Sequence, residues 1–522
     1  MRDGLKRGRD TVLHKLIKLL FHRAAFMLVY FIGQFILFAH LTRTFSEYFA
    51  YFYWFCMALS VVAVLVIISN RSDPGYKIAW IILILLFPLF GGLGYVIFGG
   101  NRLSRGKRKK LQVLDKDLER VLAQDCKADT VQREAGARAA YQCRYLETVA
   151  YCPAYSGTKT TYFPIGEDYF AALQEDLKKA KRYIFVEYFI IHEGKMWNTV
   201  LEILREKVRE GLDVRVMYDD IGCLYTLPQG YFRKLEEMGI RSCVFNPLAP
   251  VIISRLNNRD HRKFCIMDGT VAYTGGINLA DEYINEFEKY GHWKDSGIRV
   301  EGEAAWSMTV MFLSNWNFVQ KYEDRDYDSF RPTEQEKLNE PGFVQPYCDN
   351  PLDEEPVGQT VYLNLISKAE HYLYITTPYL IIDSAMNTAL CNAAKAGVDV
   401  RIITPHIPDK PIVFELTRAH YAPLMEAGVK IYEYTPGFIH AKSFVVDDRF
   451  AAVGSVNLDY RSLFLHLEDG VLLYDAPCVA DIKADFRSTV EQSQLVDQHI
   501  ASPANPIHFL VRSVLRILGP LM

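Results

Sequence analysis

The sequence lacks the cysteine spacing of a metal site or of a disulfide framework. Its ten cysteines, at positions 56, 126, 143, 152, 223, 243, 265, 348, 391 and 478, include no CxxC pair. Zinc sites and redox motifs depend on such closely spaced pairs, so we interpret the cysteines as reduced thiols, most of them in the core. The sequence also has no carboxylate cluster with metal-ligand spacing near the motifs described below, so we predict no metal and no cofactor.

The chain also lacks a large excess of charge of one sign. Its 59 basic and 62 acidic residues give a net charge of −3. A dedicated nucleic-acid-binding protein usually carries a strong basic excess, so we predict no nucleic-acid partner. The 32 Gly and 22 Pro among 522 residues are too few for a collagen-like or largely disordered chain, and the length indicates several domains.

Long hydrophobic runs, in contrast, are abundant in the first hundred residues, at 24–39, 49–69 and 78–98. About 20 apolar residues cross a bilayer as a helix, so we predict a transmembrane region over 24–100 with two or three helices. Seven basic residues lie in 1–23 and six in 101–110. The positive-inside rule places both flanks in the cytoplasm. That requires an even number of crossings, and the sequence leaves the number open; the third run contains Pro88, Gly91, Gly92 and Gly94, which favour a break.

Two further segments flank the central part of the chain. Residues 101–150 are basic, charged and helix-prone, which is typical of a juxtamembrane connector. In 506–522, apolar residues are interrupted by Arg512 and Arg516, which are four positions apart and therefore share one helix face. Such an amphipathic helix fits a membrane surface or the surface of the protein core, and both alternatives remain open.

The chain between 151 and 505 repeats one pattern. Residues 183–188 and 372–379 are each followed by a helical stretch ending in glycine, at Gly211 and Gly397, and then by an apolar strand that begins Asp-Val-Arg. The order strand, helix, strand indicates α/β layering. We predict an α/β fold in which two pseudo-symmetric α/β/α halves, 151–335 and 336–505, share one active site and follow N-terminal transmembrane helices.

Each copy ends in the same chemical motif. The spacing of His261, Lys263, Asp268, Gly275 and Asn278 is identical to that of His440, Lys442, Asp447, Gly454 and Asn457. Residues i and i+2 of a strand point to one side, so each His lies beside a Lys. Two imidazoles and two ammonium groups around one centre fit a phosphodiester. One His attacks phosphorus, the other protonates the leaving oxygen, and the lysines and asparagine amides bind the phosphoryl oxygens.

Downstream carboxylates are candidates for orienting the imidazoles. Asp295 lies 34 residues after His261, and Glu468 lies 28 residues after His440. A third group often orients a catalytic base, so we predict that both support the site; the alternative is a surface position. Other polar residues have weaker signals: Asp219 and Asp220 are candidates for the rim of the site, whereas His292, His406, His420 and His466 lack the paired pattern and are interpreted as members of polar networks.

These motifs resemble the phospholipase D superfamily, whose signature, here HxK(x)4D(x)6GxxN with Gly or Ser after the glycine, occurs in two copies. Within it, the chain is most similar to the bacterial cardiolipin synthases, through residues 404–410, 432–439 and 457–462 and through the hydrophobic segment 77–99. The resemblance extends over nearly the whole chain from about residue 76.

The resemblance implies a multi-pass cell-membrane enzyme that transfers a phosphatidyl group from one phosphatidylglycerol to another, giving cardiolipin and glycerol through a phosphohistidine intermediate. It implies that His261 is the nucleophile and His440 the general acid, with Asp268 and Asp447 in the catalytic set, Ser455 in phosphate binding, and Gly275, Gly276 and Gly454 in support. Gly276 departs from the Ser of many members and removes one hydroxyl hydrogen bond from the first half. The alternative is a hydrolytic phospholipase D or another membrane-bound phosphodiesterase.

Overall fold

The computed structural model describes residues 49–70, 72–87, 91–99, 105–123, 128–248, 257–320, 326–332, 338–353, 355–501 and 505–521, with the single positions 36, 40 and 43. The predicted basic segment 1–23 and almost all of the first hydrophobic run therefore lie outside the described residues. The chain divides into two compact units, one of residues 1–100 with 248–256, and one of residues 101–247 with 257–522.

The N-terminal unit contains three described helices, α1 (Phe49–Ser69), α2 (Pro74–Leu86) and α3 (Gly91–Phe98). The third hydrophobic run is thus divided between α2 and α3. Within the described part of the chain, Tyr51–Ser69 is the one helix long and apolar enough to cross a membrane, so the predicted two or three spanning helices are reduced to one described candidate. The helices pack closely because Gly92 lies against Ser60, where an added Cβ would come within 2.9 Å of the Ser60 Cα.

The second unit begins with two helices, α4 (Arg105–Leu122) and α5 (Ala128–Val149). Leu118 and Leu122 of α4 and Val131 and Cys143 of α5 are buried in the main hydrophobic core of this unit. The predicted connector 101–150 therefore contributes an apolar face to the second unit, because one face of each helix is rich in apolar residues that pack into this core.

The first half of the repeat forms a seven-stranded sheet with the strand order β1-β9-β7-β6-β2-β3-β4. Strands β2, β3 and β4 are parallel, and the other neighbours are antiparallel. The elements are β1 (Thr158–Phe163), α6 (Gly166–Lys179), β2 (Tyr183–Tyr188), α7 (Lys195–Arg209), β3 (Asp213–Asp219), α8 (Tyr231–Glu237), β4 (Arg241–Phe245), β5 (Arg259–Asp260), β6 (Lys263–Met267), β7 (Val271–Gly275), β8 (His292–Lys294), β9 (Gly297–Gly302) and α9 (Ala304–Val319).

The second half repeats this order as β10-β19-β17-β16-β11-β13-β14, with β20 added beside β14. Its elements are β10 (Phe343–Asp349), α10 (Val357–Lys368), β11 (Tyr372–Thr376), β12 (Leu380–Ile381), α11 (Ser384–Lys395), β13 (Asp399–Pro405), α12 (Pro411–Ala419), α13 (Tyr421–Glu426), β14 (Lys430–Tyr434), β15 (Gly437–Ile439), β16 (Ser443–Val446), β17 (Phe450–Gly454), β18 (Leu458–Asp459), α14 (Tyr460–Phe464), β19 (His466–Tyr474), α15 (Cys478–Glu491), β20 (Ser493–Leu495), α16 (Gln498–Ala501) and α17 (Pro506–Leu518). The predicted α/β fold of two similar halves is confirmed.

The two halves share one large core and exchange short strands. Helix α9 is buried on nearly every side, as its uncharged and mostly apolar sequence predicts. Residues of both sheets lie in the same cluster as this helix. In addition, β5 of the first half pairs with the start of β19, and β15 of the second half pairs with β8, both in parallel. These two exchanged pairs position the candidate site.

Candidate active site

The exchange of β5 brings His261 to a carboxylate of the second half. Arg259 and Asp260 pair with His466 and Leu467, and the His261 amide donates a hydrogen bond to the Leu467 carbonyl at 2.9 Å. The next residues on the two segments are His261 and Glu468. The Nδ1 atom of the imidazole therefore lies 2.9 Å from the Glu468 Oε2 atom, and both side chains are buried.

The same arrangement is built around His440. Strand β15 leads into His440 and pairs with β8, which leads into Asp295. The His440 amide donates to the Lys294 carbonyl at 2.7 Å, and the imidazole Nδ1 lies 2.7 Å from the Asp295 Oδ2 atom. Each histidine is thus oriented by the carboxylate of the opposite half.

Both predicted carboxylates therefore reach the imidazoles, but with exchanged partners. Glu468 is 207 residues from His261 and Asp295 is 145 residues from His440. A carboxylate that accepts from Nδ1–H fixes the tautomer of an imidazole and directs Nε2 outward. Each histidine consequently presents Nε2 as its reactive nitrogen.

The two lysines lie beside their own histidines. The Lys263 ammonium donates to the His261 carbonyl; the Lys442 ammonium donates to the His440 carbonyl and lies 2.9 Å from the His440 Nδ1. Burial lowers the pKa of Lys263 to about 8 and the pKa of Lys442 to about 7. The positive charge of Lys263 further lowers the pKa of Lys442, so the cations of both halves act on one another at a common centre.

Burial also controls the protonation of the histidines. It lowers the pKa of His261 to about 3 and the pKa of His440 to about 4. Burial by itself would raise the pKa of Glu468, but the interaction with His261 and its hydrogen bond hold that pKa below the usual value. The resting site therefore contains neutral imidazoles beside an ionised Glu468, and a neutral imidazole is the form that attacks an electrophile.

Aromatic side chains surround the two imidazoles. The Phe189 ring lies 5.0 Å from the His261 ring, measured between centroids. The rings of Tyr283, Trp293 and Phe438 lie 5.7, 5.8 and 5.9 Å from that of His440. These apolar walls exclude water and account for the low pKa values of the histidines.

The predicted phosphate-binding amides are buried near this centre and already have local partners. Asn278 accepts from the Ile190 amide at 3.0 Å and donates to the Tyr283 hydroxyl at 2.7 Å. Asn457 donates to the Ser462 hydroxyl at 3.1 Å, and its Oδ1 atom has no partner among the described residues. The Ser455 hydroxyl donates to Glu468 Oε2 and accepts from the Asp469 amide, so in this structure it positions the carboxylate of His261.

Asp268 and Asp447 lie at the other end of the motif strands, away from the imidazoles. Asp268 accepts hydrogen bonds from the amides of Lys181, Arg182 and Tyr183, and Asp447 accepts from those of Glu370, His371 and Tyr372. Five residues of extended strand separate each from its motif lysine, about 16 Å. In this structure both carboxylates cap the start of a neighbouring strand, and their place in the catalytic set stays a prediction.

The motif glycines provide space for close strand contacts. A Cβ at Gly275 would lie 2.4 Å from the Ser296 carbonyl oxygen, and one at Gly454 would lie 2.3 Å from that of Asp469. A Cβ at Gly276 would lie 2.1 Å from Asp295 Oδ1. The Asp295 carboxylate thus occupies the space that a Ser at 276 would need.

The weaker candidates occupy supporting positions. Asp219 is fully buried and accepts from the Asp260 amide at 3.1 Å, so it anchors β5 beneath the site, and Asp220 is buried beside it. His292 contacts the Tyr434 hydroxyl and His406 contacts Glu433, as expected of polar networks. His420 is buried, and burial lowers its pKa to about 3.

Two further groups lie next to the nucleophile candidate: His466, interpreted from the sequence as a member of a polar network, and Asp469, which sequence reasoning missed. His466 is buried, its ring centroid lies 5.6 Å from that of His261, and its Nδ1 atom lies 3.8 Å from Glu468 Oε1. Asp469 accepts from the Thr274 hydroxyl, and burial raises its pKa to about 7. Their only sequence signal is adjacency to Glu468.

Within the described part of the chain, His261, His466 and Glu468 form the one group of three side chains that could hold a metal ion, with candidate ligand atoms within 4.8 Å of one another. A metal there would coordinate His261, the residue placed to react with phosphorus. The set therefore does not fit a metal that assists attack by this histidine.

Comparison with known proteins gives the family. The model of the cardiolipin synthase PLD-like domain matches residues 173–290 and 362–490, and that of the phospholipase D-nuclease N-terminal family matches residues 58–100. A cardiolipin synthase of Geobacillus sp. (strain WCH70) is 31% identical, over 89% of this chain and 93% of that protein. The chain belongs to the cardiolipin synthase family.

Two further proteins are similar to this chain. An uncharacterised protein of Streptococcus mutans is 42% identical over 88% of this chain and 99% of that protein. The crystal structure of phosphatidylserine synthase from Haemophilus influenzae has a TM-score of 0.56 at 16% identity and covers 73% of this chain and all of that one. At this identity the likeness shows a common fold alone.

Proposed function

We propose that the protein is a phosphatidyltransferase that makes cardiolipin and glycerol from two molecules of phosphatidylglycerol. The observation that carries the proposal is the pair of histidines, each held by a carboxylate of the opposite half, with two lysines at the same centre. Membership of the cardiolipin synthase family supports the choice of substrate.

In the first step, the donor phosphodiester binds between the lysines and His261 Nε2 attacks phosphorus. The bond from phosphorus to the glycerol headgroup oxygen breaks, and His440 gives that oxygen its proton. The phosphatidyl group is then attached to His261, whose Nδ1–H remains bonded to Glu468. The carboxylate stabilises the positive charge that develops on the imidazole.

In the second step, His440 takes the proton from a headgroup hydroxyl of the acceptor phosphatidylglycerol. The hydroxyl oxygen attacks phosphorus, the bond to His261 breaks, and cardiolipin leaves. His440 must be protonated in the first step, although burial gives it a pKa of about 4 in the empty site. An anionic phosphodiester beside it favours the imidazolium form and raises that pKa.

Positive charge for the phosphate is supplied by Lys263 and Lys442, so transfer proceeds without a metal ion. The aromatic walls around both histidines favour transfer over hydrolysis, because water competes with the acceptor hydroxyl for the intermediate.

We also infer a multi-pass anchor in the cell membrane with both flanks of the hydrophobic region in the cytoplasm. The apolar helix α1 and the basic clusters in 1–23 and 101–110 support this topology. Reporter fusions before residue 24 and after residue 110 are expected to lie on the cytoplasmic side; a periplasmic or extracellular signal from either would contradict it.

The direct test supplies the purified full-length protein with phosphatidylglycerol vesicles in the presence of EDTA and follows the products by mass spectrometry. Equal amounts of cardiolipin and glycerol are expected. His261→Ala is expected to abolish both, whereas His371→Ala, at an exposed histidine, serves as the matched control. Phosphatidic acid in place of cardiolipin would show hydrolysis, and loss of activity in EDTA with rescue by a divalent ion would contradict the metal-free reaction.

A further inference from the structure

The C-terminal helix α17 exposes its apolar face, whereas an ordinary surface helix buries that face. Ile507, Leu510, Val511, Val514 and Ile517 follow the i, i+3, i+4, i+7 spacing of a single helix face, and between 40% and 69% of each side chain is exposed. Arg512, on the other side of the helix, is only 8% exposed. An apolar stripe therefore points away from the protein, and an arginine points into it.

The buried arginine fixes this orientation. Arg512 forms an ion pair with Glu415 of α12 at 3.1 Å and donates to the carbonyls of Ile500 and Ala501. Leu515 packs against a small cluster that contains Leu416. Turning the apolar stripe inward would bury it but would remove Arg512 from three partner oxygen atoms, one of which belongs to the ion pair with Glu415. The contacts of Arg512 therefore hold the stripe in its exposed position. Of the two arginines, Arg512 is therefore buried and Arg516 is exposed.

The helix is attached to an element that borders the candidate active site. Helix α12, which contacts α17 through Glu415, begins directly after Asp409 and Lys410. Asp409 accepts a hydrogen bond from the Tyr379 hydroxyl at 2.6 Å. Tyr379 in turn packs against the hydrophobic cluster that contains Tyr283, and the Tyr283 ring lies 5.7 Å from that of His440. Helix α12, to which the stripe is attached, therefore begins close to the cluster on the general-acid side of the site.

The charge of this region complements an anionic lipid surface. From residue 498 to the end at 522 the sequence contains no Asp or Glu, and Arg516 is exposed next to the stripe. Ile412, at the first turn of α12, is a further exposed apolar side chain on the helix that α17 contacts. Apolar insertion combined with basic residues is the composition of helices that lie in the interface of a bilayer, and the same chain contains an apolar helix long enough to enter one.

We propose that the apolar stripe of α17 (Ile507, Leu510, Val511, Val514 and Ile517) inserts into the surface of an anionic phospholipid bilayer and holds the active-site entrance at the level of the lipid headgroups. This inference rests on the proposed function, because it supplies the site with a substrate that resides in the bilayer. It adds a second membrane contact, made by the catalytic unit itself, to the N-terminal anchor.

The insertion is measured on the full-length protein labelled with an environment-sensitive fluorophore at Val514→Cys. In vesicles that contain phosphatidylglycerol, a blue-shifted emission that spin-labelled lipids quench is expected. The same label at Asn198→Cys, on the exposed side of α7, is the control for a position in water. Unlabelled wild-type protein treated with the dye corrects for the native cysteines, nearly all of which are buried among the described residues. Emission at Val514→Cys that is as solvent-like and unquenched as at Asn198→Cys would overturn the proposal.

The functional consequence is measured by placing a carboxylate in the stripe. Leu510→Asp and Val514→Asp are expected to slow transfer from phosphatidylglycerol vesicles at least tenfold, without changing transfer from a short-chain phosphatidylglycerol kept below its micelle concentration. Ser513→Asp, on the flank of the same helix, adds the same charge and is expected to retain vesicle activity. Equal activity of Val514→Asp and Ser513→Asp on vesicles would overturn the proposal.

These outcomes distinguish an error in the insertion proposal from an error in the proposed function. If the proposed function is wrong, the wild-type protein makes no cardiolipin from either substrate, while the label still reports insertion. A second copy of the chain is the competing occupant of the stripe. If Val514→Asp converts a dimer into a monomer and quenching is absent, the stripe is an interface between copies and the bilayer proposal is wrong.

Discussion

At the scale of single residues, the charge of the Lys442 side chain changes with pH near neutrality. Burial lowers its pKa to about 7, so below that pH it is a cation that binds phosphate and above it the charge is lost. We expect kcat/KM to fall by about a further tenfold for each pH unit above that pKa, beyond the decline that deprotonation of His440 already causes, because this ratio reports on the free enzyme. In the pH profile of kcat, the decrease at alkaline pH should begin at a higher pH, since bound phosphate favours the ammonium form of Lys442.

The matched variant for this prediction is Lys442→Arg, because a guanidinium stays charged throughout the range. The absolute rate of this variant is expected to be lower. The decrease in kcat/KM that we assign to residue 442 should begin more than one pH unit higher than in the wild-type protein. A decrease that begins at the unchanged pH in pH–rate profiles of the variant would show that another group titrates there.

Gly276 offers a second test at this scale. Because the Asp295 carboxylate occupies the position of a side chain at 276, Gly276→Ser is expected to displace it from His440 and to lower transfer at least tenfold. The second half combines Ser455 with the longer Glu468. The double variant Gly276→Ser with Asp295→Glu is therefore expected to recover activity relative to Gly276→Ser alone. Full activity of the single variant, or a double variant no better than it, would contradict this steric account; both are measured as kcat in one double-mutant cycle.

At the scale of elements, the exchanged strand pairs β5–β19 and β8–β15 assign a different carboxylate to each histidine. Glu468→Gln is expected to impair attack by His261, and Asp295→Asn to impair proton donation by His440. A nitrophenyl phosphodiester, whose leaving group needs no proton, distinguishes them: stopped-flow release of nitrophenol should persist in Asp295→Asn and be strongly reduced in Glu468→Gln. The reverse order would show that the carboxylates act on the histidines of their own halves.

The turn between the antiparallel strands β6 and β7, which contains Asp268, leads to a prediction about stability. Asp268 accepts hydrogen bonds from three backbone amides, and hydrogen bonds to a charged group contribute about 1.5–3 kcal/mol. Asp268→Asn is expected to lower the free energy of unfolding by about 2 kcal/mol, with kcat per folded molecule nearly unchanged. Thermal unfolding measured alongside the rate tests this. A large loss of kcat in a protein that unfolds at the wild-type temperature would place Asp268 in the catalytic set.

The same elements show what local sequence could and could not predict. The strands at 183–188 and 213–219 follow from short-range patterns, and they form where expected. The role of Asp268 did not follow, because its partners Lys181 to Tyr183 lie more than 80 residues earlier. The division of the third hydrophobic run into α2 and α3 was foreseeable from Pro88 and the glycines after it, whereas the inward direction of Arg512 depends on Glu415 of a distant helix.

At the scale of the whole molecule, the duplicated sequence predicted two similar halves around one site, and the two sheets have the same strand order. The exchange of carboxylates could not be predicted from spacing alone. Asp295 and Glu468 each follow the histidine of their own copy, so proximity in sequence favours the wrong partner. Only the parallel pairing of Arg259 with His466 and of Gly437 with His292 brings the correct groups together.

The whole-molecule account is that one composite site, assembled from both halves, transfers the phosphatidyl group through His261. Its most direct measurement is the location of the covalent adduct. His440→Ala is mixed with a nitrophenyl ester of phosphatidic acid, quenched rapidly without acid and digested, and the peptides are analysed by mass spectrometry. The account predicts a phosphatidyl group on His261 in this variant and none in His261→Ala. An adduct on His440 in His261→Ala, or adduct formation in neither protein while nitrophenol is released, would contradict it.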